Sequence, residues 1–308
     1  MAGAASFKRL VFAVYVCIVN TRIIAQAQQT PVFRPDYKYF PDAQGWIKFH
    51  KIPTTWSEAR LKCYHEGAVL ASPTNERLFT AMRSFMLQRS SSAFIGMQSL
   101  TATGDYFSVE GIPLEAIQLQ WAKGEPDNAD DAERCLAMTR EGTTADVRCG
   151  NVLPYMCYRK RTGKERITEC GTHDKEYVMD AESGNCYKFH ADCVSWWRAY
   201  MVCAAERGRL AVLASRAEAE RMRTRFANYT THCGERGLAH LGFINNVYWF
   251  TMDGKQLRES GYDQWAANEP NGVGENCGAF SRTGAGLADV QCERALPFLC
   301  QMPLAYDL

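Results

Sequence analysis

The sequence predicts an α+β fold class, built as two copies of one domain. Three observations point there. Cys63, Cys135, Cys149 and Cys157 are spaced by 72, 14 and 8 residues, and Cys203, Cys277, Cys292 and Cys300 by 74, 15 and 8. Other segments echo in register: Phe94-Ile95-Gly96-Met97 with His240-Leu241-Gly242-Phe243, Ala145-Asp146-Val147 with Ala288-Asp289-Val290, and Leu153-Pro154-Tyr155 with Leu296-Pro297-Phe298. Helix-start patterns are followed by short strands and loops rich in Gly, Asn and Asp. A period this long means whole-domain duplication rather than a solenoid, and 308 residues suit two domains.

In chain order, residues 1–27 read as a signal peptide. Lys8 and Arg9 make a basic start, Leu10–Val19 is apolar, and Ala25-Gln26-Ala27 offers a small-x-small cleavage site. Ten apolar residues followed by Asn20 and Arg22 are too short to span a bilayer, which needs ~20. The first domain is placed at 28–158. A strand runs through Trp46–His50, and a helix begins at Thr55 with Glu58 at capping-box spacing, bringing Trp56, Ala59 and Cys63 to one face. Residues 159–169 are polar, mostly charged, and read as an exposed linker. The second domain is placed at 170–303. Its strand holds Tyr187-Lys188-Phe189, its first helix starts at Ser195, and its second runs from near Ser215, with Glu218 three residues on, to near Phe226. Trp196-Trp197 reads as core-facing, and His173, His190, His232 and His240 as ordinary surface or strand residues.

Thirteen cysteines are present; Cys17 leaves with the signal, and twelve remain. In an exported chain an even number implies a disulfide framework. No CxxC pair supports a zinc site. With 35 basic and 34 acidic residues the net charge is +1, so nothing attracts nucleic acid or acidic membranes globally. No HExxH, GxSxG or P-loop pattern occurs. Asn228-Tyr229-Thr230 is a glycosylation sequon, used or unused.

The most informative segments are QWAKGEPDNADDAERC (120–135) and QWAANEPNGVGENC (264–277). In each, a tryptophan stands four residues before Glu-Pro and a cysteine closes the loop. Together with the paired cysteines, the Φ-x-Gly signature and Glu-x-Cys, these residues resemble C-type lectin carbohydrate-recognition domains. The tandem arrangement behind a signal peptide is similar to insect dual-domain lectins, the immulectins. The resemblance covers nearly the whole mature chain. It implies disulfide-linked domains with small antiparallel sheets and a long loop region, a short form (EPD motif) first and a long form (EPN motif) second. It implies the pairs Cys63–Cys157, Cys135–Cys149, Cys203–Cys300 and Cys277–Cys292, with Cys170–Cys186 as the extra pair of the long form. Cys193 and Cys233 are left over; they bridge the helix ends, form an intermolecular bond, or stay free.

The resemblance also implies Ca²⁺, with Glu269, Asn271, Glu275 and Asp289 as ligands in the second domain and Glu125, Asp127, Glu133 and Asp146 as candidates in the first. Calcium takes six to eight oxygens. Two side chains flanking a proline aim at one ion when the Glu-Pro bond is cis, and proline lowers the cost of cis to ~0.5–1 kcal/mol; cis bonds are therefore expected at Pro126 and Pro270. Where the family carries Asn before the strand aspartate, this chain has Ala145 and Ala288, so one oxygen is missing from each set.

A sugar hydroxyl on Ca²⁺ can donate to a carboxylate and accept from an amide. Glu269, Asn271, Glu275 and Asp289 are thus also the expected sugar-binding residues, and Glu before Asn resembles the mannose-type order. In the first domain Glu125 and Asp127 only accept; Asn128 is an unplaced donor. That half is expected to hold Ca²⁺ but to recognise sugar poorly or differently. Single sites of this open kind bind at around millimolar, ~4 kcal/mol, and linked sites add avidity. The implied partners are microbial glycans (mannose-type sugars, lipopolysaccharide) and haemocyte or serum proteins, the implied location haemolymph. A lectin-like protein-binding module without sugar binding is the alternative, and a glycan hydrolase a third.

Overall fold

A computed structural model describes residues 32–302 except 88, 100–103, 228, 231–236, 273 and 283–285. The segment 1–27 expected to be a signal peptide, Asn228, His232 and Cys233 lie outside the described residues. Among those described, no helix is long and apolar enough to cross a membrane.

The first domain contains β1 (Lys38–Phe40), β2 (Gly45–Thr54), α1 (Trp56–His65), β3 (Val69–Leu70), α2 (Glu76–Met86), β4 (Ala93–Ser99), β5 (Tyr106–Ser108), β6 (Cys135–Met138), β7 (Thr144–Val147) and β8 (Leu153–Lys160). The second repeats the plan with β9 (Val178–Met179), β10 (Cys186–Val194), α3 (Trp196–Ala205), β11 (Arg209–Leu210), α4 (Arg216–Phe226), β12 (Leu238–Asn245), β13 (Trp249–Thr251), β14 (Cys277–Ser281), β15 (Leu287–Val290) and β16 (Leu296–Met302). The expected small antiparallel sheets join into one eight-stranded mixed sheet per domain. The join is a parallel bridge, Phe94↔Tyr155 in the first domain and His240↔Phe298 in the second.

Thr55 and Ser195 cap the first helix of each domain, accepting from the amides of Glu58 and Arg198. Each helix then drops a tryptophan into the core. The Trp56 indole donates to the Ile95 carbonyl at 2.9 Å and that of Trp196 to Leu241 at 2.7 Å, so the indole nitrogen is satisfied while the ring is buried. Trp197, expected to face the core, is instead 47% exposed: one residue on from Trp196 it lies about 100° round the helix, beyond the buried stripe of Trp196, Ala199, Val202 and Cys203.

The Φ-x-Gly signature has a steric cause. A Cβ on Gly96 would lie 2.2 Å from the Leu70 carbonyl oxygen, and one on Gly242 2.3 Å from that of Leu210. The strand passes so close because each glycine amide donates at 2.8 Å to the next carbonyl, of Ala71 or Ala211.

Disulfides join Cys63 to Cys157, Cys135 to Cys149, Cys170 to Cys186, Cys203 to Cys300 and Cys277 to Cys292. Cys193 is also disulfide-bonded; Cys233, its candidate partner, is not among the described residues. Each bridge is typically worth ~2–4 kcal/mol through the restricted unfolded chain.

Candidate functional site

The long loop of each domain is pinned at its tryptophan. Trp265 bridges to Leu287 on β15, and the flanking bonds Ala266 N–H to Leu287 O (2.8 Å) and Leu287 N–H to Gln264 O (2.7 Å) repeat the ladder. Trp121 does the same with Thr144 on β7. The Trp265 ring packs on Trp249 and Phe243 at centroid distances of 5.0 and 5.9 Å. Four residues on, the chain turns through cis Glu269-Pro270 and cis Glu125-Pro126. This places the glutamates beside the strand aspartates.

In the second domain the carboxylates of Glu269, Glu275 and Asp289 each offer an oxygen within 4.8 Å of the others. Asp289 is 2% exposed. It is held by two backbone amides, of Asn271 at 3.0 Å and Gly272 at 2.9 Å. The Asn271 side-chain amide lies 3.3 Å from Glu269 Oε2, inside the same group. Burial pushes the Glu269 carboxyl up to about 7, with the nearby Asp289 and Glu275 charges adding to the effect. Although burial also acts on Asp289, its hydrogen bonds with Glu269 and the loop amides hold it below the usual aspartate value. An acid pushed up and its neighbour pulled down describe two carboxyls that resist being charged together.

The first domain has the same frame with different side chains. Glu125, Asp127 and Asp146 form the group, and Asp146 accepts from the amides of Asp127 (3.2 Å) and Asn128 (3.0 Å). Glu125 is raised to about 7 by burial, Asp146 and the other acids. Its Oε2 is buried without a hydrogen-bond partner. Glu133 stands outside the group: its Oε2 accepts from the Ala129 amide at 3.0 Å, and burial raises its carboxyl too. The Asn128 side chain is committed locally, donating to Asp131 at 2.8 Å and accepting from the Glu133 amide at 3.3 Å.

These donor sets fit a hard divalent cation. They are all oxygen, the carboxylates converge, and one buried oxygen has no other partner. Ala145 and Ala288 sit buried beside the aspartates and add no side-chain oxygen.

Two further acid groups were not anticipated. Glu66 accepts from Tyr37 Oη (2.6 Å) and Lys48 Nζ (2.7 Å), with His50 Nε2 at 3.1 Å. Glu206 repeats this with Tyr177 (2.9 Å), Lys188 (2.8 Å) and His190 (3.1 Å). The cysteine beside each group, Cys157 or Cys300, is in a disulfide, and a lysine already neutralises each carboxylate. We read them as structural. The signal lay in the repeat: Lys-Phe-His recurs at 48–50 and 188–190, each followed sixteen residues later by Glu. His190 and His240 lie on strands and are buried, not on the surface.

The lectin C-type domain family matches residues 52–159 and again 192–302. The human C-type mannose receptor 2 is 26% identical over 262 residues, 80% of this chain and 17% of the receptor. The hemolymph lipopolysaccharide-binding protein of Periplaneta americana is 30% identical over 152 residues, 46% of this chain and 59% of that protein. The chain therefore spans less than two thirds of either relative. Among solved structures, the mouse scavenger receptor C-type lectin carbohydrate-recognition domain matches 42% of this chain and 99% of its own length, at 19% identity and a TM-score of 0.39. The family is non-catalytic, which sets the hydrolase alternative aside. With both halves matched over their helices, long loops and the later strands of each sheet, the chain belongs to the C-type lectin domain family and carries two copies of the domain in tandem.

Proposed function

We propose that this chain is a secreted, calcium-dependent carbohydrate-binding protein of innate immunity, similar to the insect dual-domain lectins. It binds mannose-type sugars on microbial surface glycans mainly through its second domain. The observation that carries this reading is the difference between two otherwise matched loops. At the position after the cis-proline, Asn271 brings an amide into a group of three carboxylates, whereas Asp127 is itself the third acid of a group with no free amide.

Glu269, Asn271, Glu275 and Asp289 would hold Ca²⁺ in the second domain, and Glu125, Asp127 and Asp146 in the first, where Glu133, its Oε2 bonded to the Ala129 amide, is a further candidate ligand. The bound ion supplies attachment points for two neighbouring hydroxyls. Around them the carboxylates accept and the Asn271 amide donates. With alanine at 288 one amide is missing, a deficit of ~0.5–1.5 kcal/mol. The relatives named for mannose and for lipopolysaccharide support this class of ligand.

The test is a glycan array probed with the full chain, and with Asp289→Ala and Asp146→Ala variants, in calcium and in chelator. Calcium-dependent capture of mannose-type glycans, lost in Asp289→Ala and largely kept in Asp146→Ala, is expected. Capture indifferent to calcium, or none at all, would leave a lectin-like protein-binding module.

A further inference from the structure

Equivalent positions in the two domains are 140 residues apart along the first half of each: Tyr37 and Tyr177, Lys48 and Lys188, Trp56 and Trp196, Glu66 and Glu206. Two such pairs touch each other. Glu58 on α1 forms an ion pair with Arg198 on α3, 140 residues away. Phe33 stacks on His173 with ring centroids 5.5 Å apart, again 140 positions on. Helices α1 and α3, also equivalent, pack against each other. When two copies of one domain meet through the same positions on each, they are related by a two-fold axis, and the self-contacting positions lie beside it.

Both self-contacts are chemically complementary rather than identical. Glutamate faces arginine, and an apolar ring faces an imidazole. A copy paired with a second copy of itself would set Glu58 against glutamate, or Arg198 against arginine, and repel. Arg34 completes the seam. Its guanidinium is gripped by Asp36 through two bonds of 3.0 Å. It donates to the Ala205 carbonyl at the end of α3 (2.8 Å) and to the Glu66 carbonyl at the end of α1 (3.4 Å). One cation therefore serves the C-terminal ends of both helices, where carbonyls lack intrahelical partners and the dipole is negative. Between these contacts runs a cavity of about 530 Å³ with His65, Glu66, Lys188 and Glu206 in its wall.

We propose that the two domains form one rigid intramolecular pair about this axis, clasped by Arg34 and keyed by Glu58 and Arg198, so that the two ion-binding loops are presented at a single fixed separation. The partner this fits is a glycan surface carrying repeated ligands at matching spacing. That last step rests on the function proposed above; the clasp does not.

Small-angle scattering of the full chain tests the clasp without any sugar. The wild type should fit one conformation. Arg34→Ala and Glu58→Arg should each enlarge the maximum dimension, and adding Arg198→Glu to Glu58→Arg should restore it. Tryptic cleavage in the linker past β8, residues 161–169, should rise by about tenfold in the single variants, corresponding to ~1.4 kcal/mol. In binding, the opened variants should keep the monosaccharide Kd within about twofold and lose about tenfold or more on a spaced multivalent glycan. A wild type that scatters as freely tumbling domains, or variants identical to it, would overturn the clasp. Intact scattering with no sugar binding would instead overturn the lectin reading and leave the clasp standing.

Discussion

Asn271 and Asp127 occupy the same corner of two matched loops, each sending its backbone amide to the strand aspartate, Asp289 at 3.0 Å and Asp146 at 3.2 Å. Because the backbone is held alike, exchanging their side chains tests chemistry rather than shape. Asp127→Asn should strengthen mannose binding by the first domain and Asn271→Asp should weaken that of the second, each by about 0.5–1.5 kcal/mol, or roughly two- to tenfold in Kd. Isothermal titration of the full chain with the other site disabled reads both.

His240 predicts how the second domain responds to acid. It is fully buried. Its Nε2 donates to the carbonyls of Val194 and Arg294, both at 3.1 Å, while Nδ1 has no partner. Burial lowers its pKa from 6.5 to about 4, against the smaller opposing effect of those bonds. The unfolded chain takes up the proton first as pH falls. The stability present above 6.5 is therefore lost progressively down to about 4, up to roughly 3 kcal/mol. His240→Phe, which installs the residue of the matching position, Phe94, should flatten the chemical-denaturation profile between pH 6.5 and 4 while leaving the first domain unchanged.

Glu206 and Glu66 set a second, more acidic limit. Burial alone would raise both carboxyls, but His190 with Lys188, and His50 with Arg34 and Lys48, hold them below the ordinary glutamate value. A lowered folded-state pKa stabilises above the unfolded value of ~4.3 and is lost as pH falls through the folded one. Lys188→Met strips Glu206 of its 2.8 Å lysine partner and should cost about 3–5 kcal/mol, with the acid-unfolding midpoint moving to higher pH. Circular dichroism across pH 2–6 provides the measurement.

Gly242→Ala should destabilise the second domain by more than 2 kcal/mol, since its Cβ would meet the backbone of Leu210 at 2.3 Å and no side-chain rotation relieves that. Glu293→Ala, in the exposed turn before β16, is a control expected to stay within about 1 kcal/mol. Thermal unfolding reads both.

The architecture was legible because duplication writes each feature twice. Cysteine spacing and the paired Φ-x-Gly segments identified two α+β domains, and Thr55, Ser195 and Ser215 marked helix starts that the structure shows capped. Asp146 and Asp289 could be named as site candidates, but not the loop amides that hold them, since backbone donors carry no letter. Asn128 could not be placed because its commitment to Asp131 depends on a left-handed turn. The Glu66 and Glu206 networks escaped because their members come from separate elements and each residue type is ordinary alone. Glu58 was read as a capping residue; nothing local says that its carboxylate reaches Arg198 in the other domain.

The contacts that join the halves rest on the charged groups Arg34, Glu58 and Arg198 beside a cavity, whereas each half is stapled internally by covalent bridges around apolar clusters. Ionic strength therefore acts on one level of organisation and spares the other. In concentrated salt, where a Debye length shrinks to ~3 Å, the molecule should loosen into two intact beads on a string long before either bead melts.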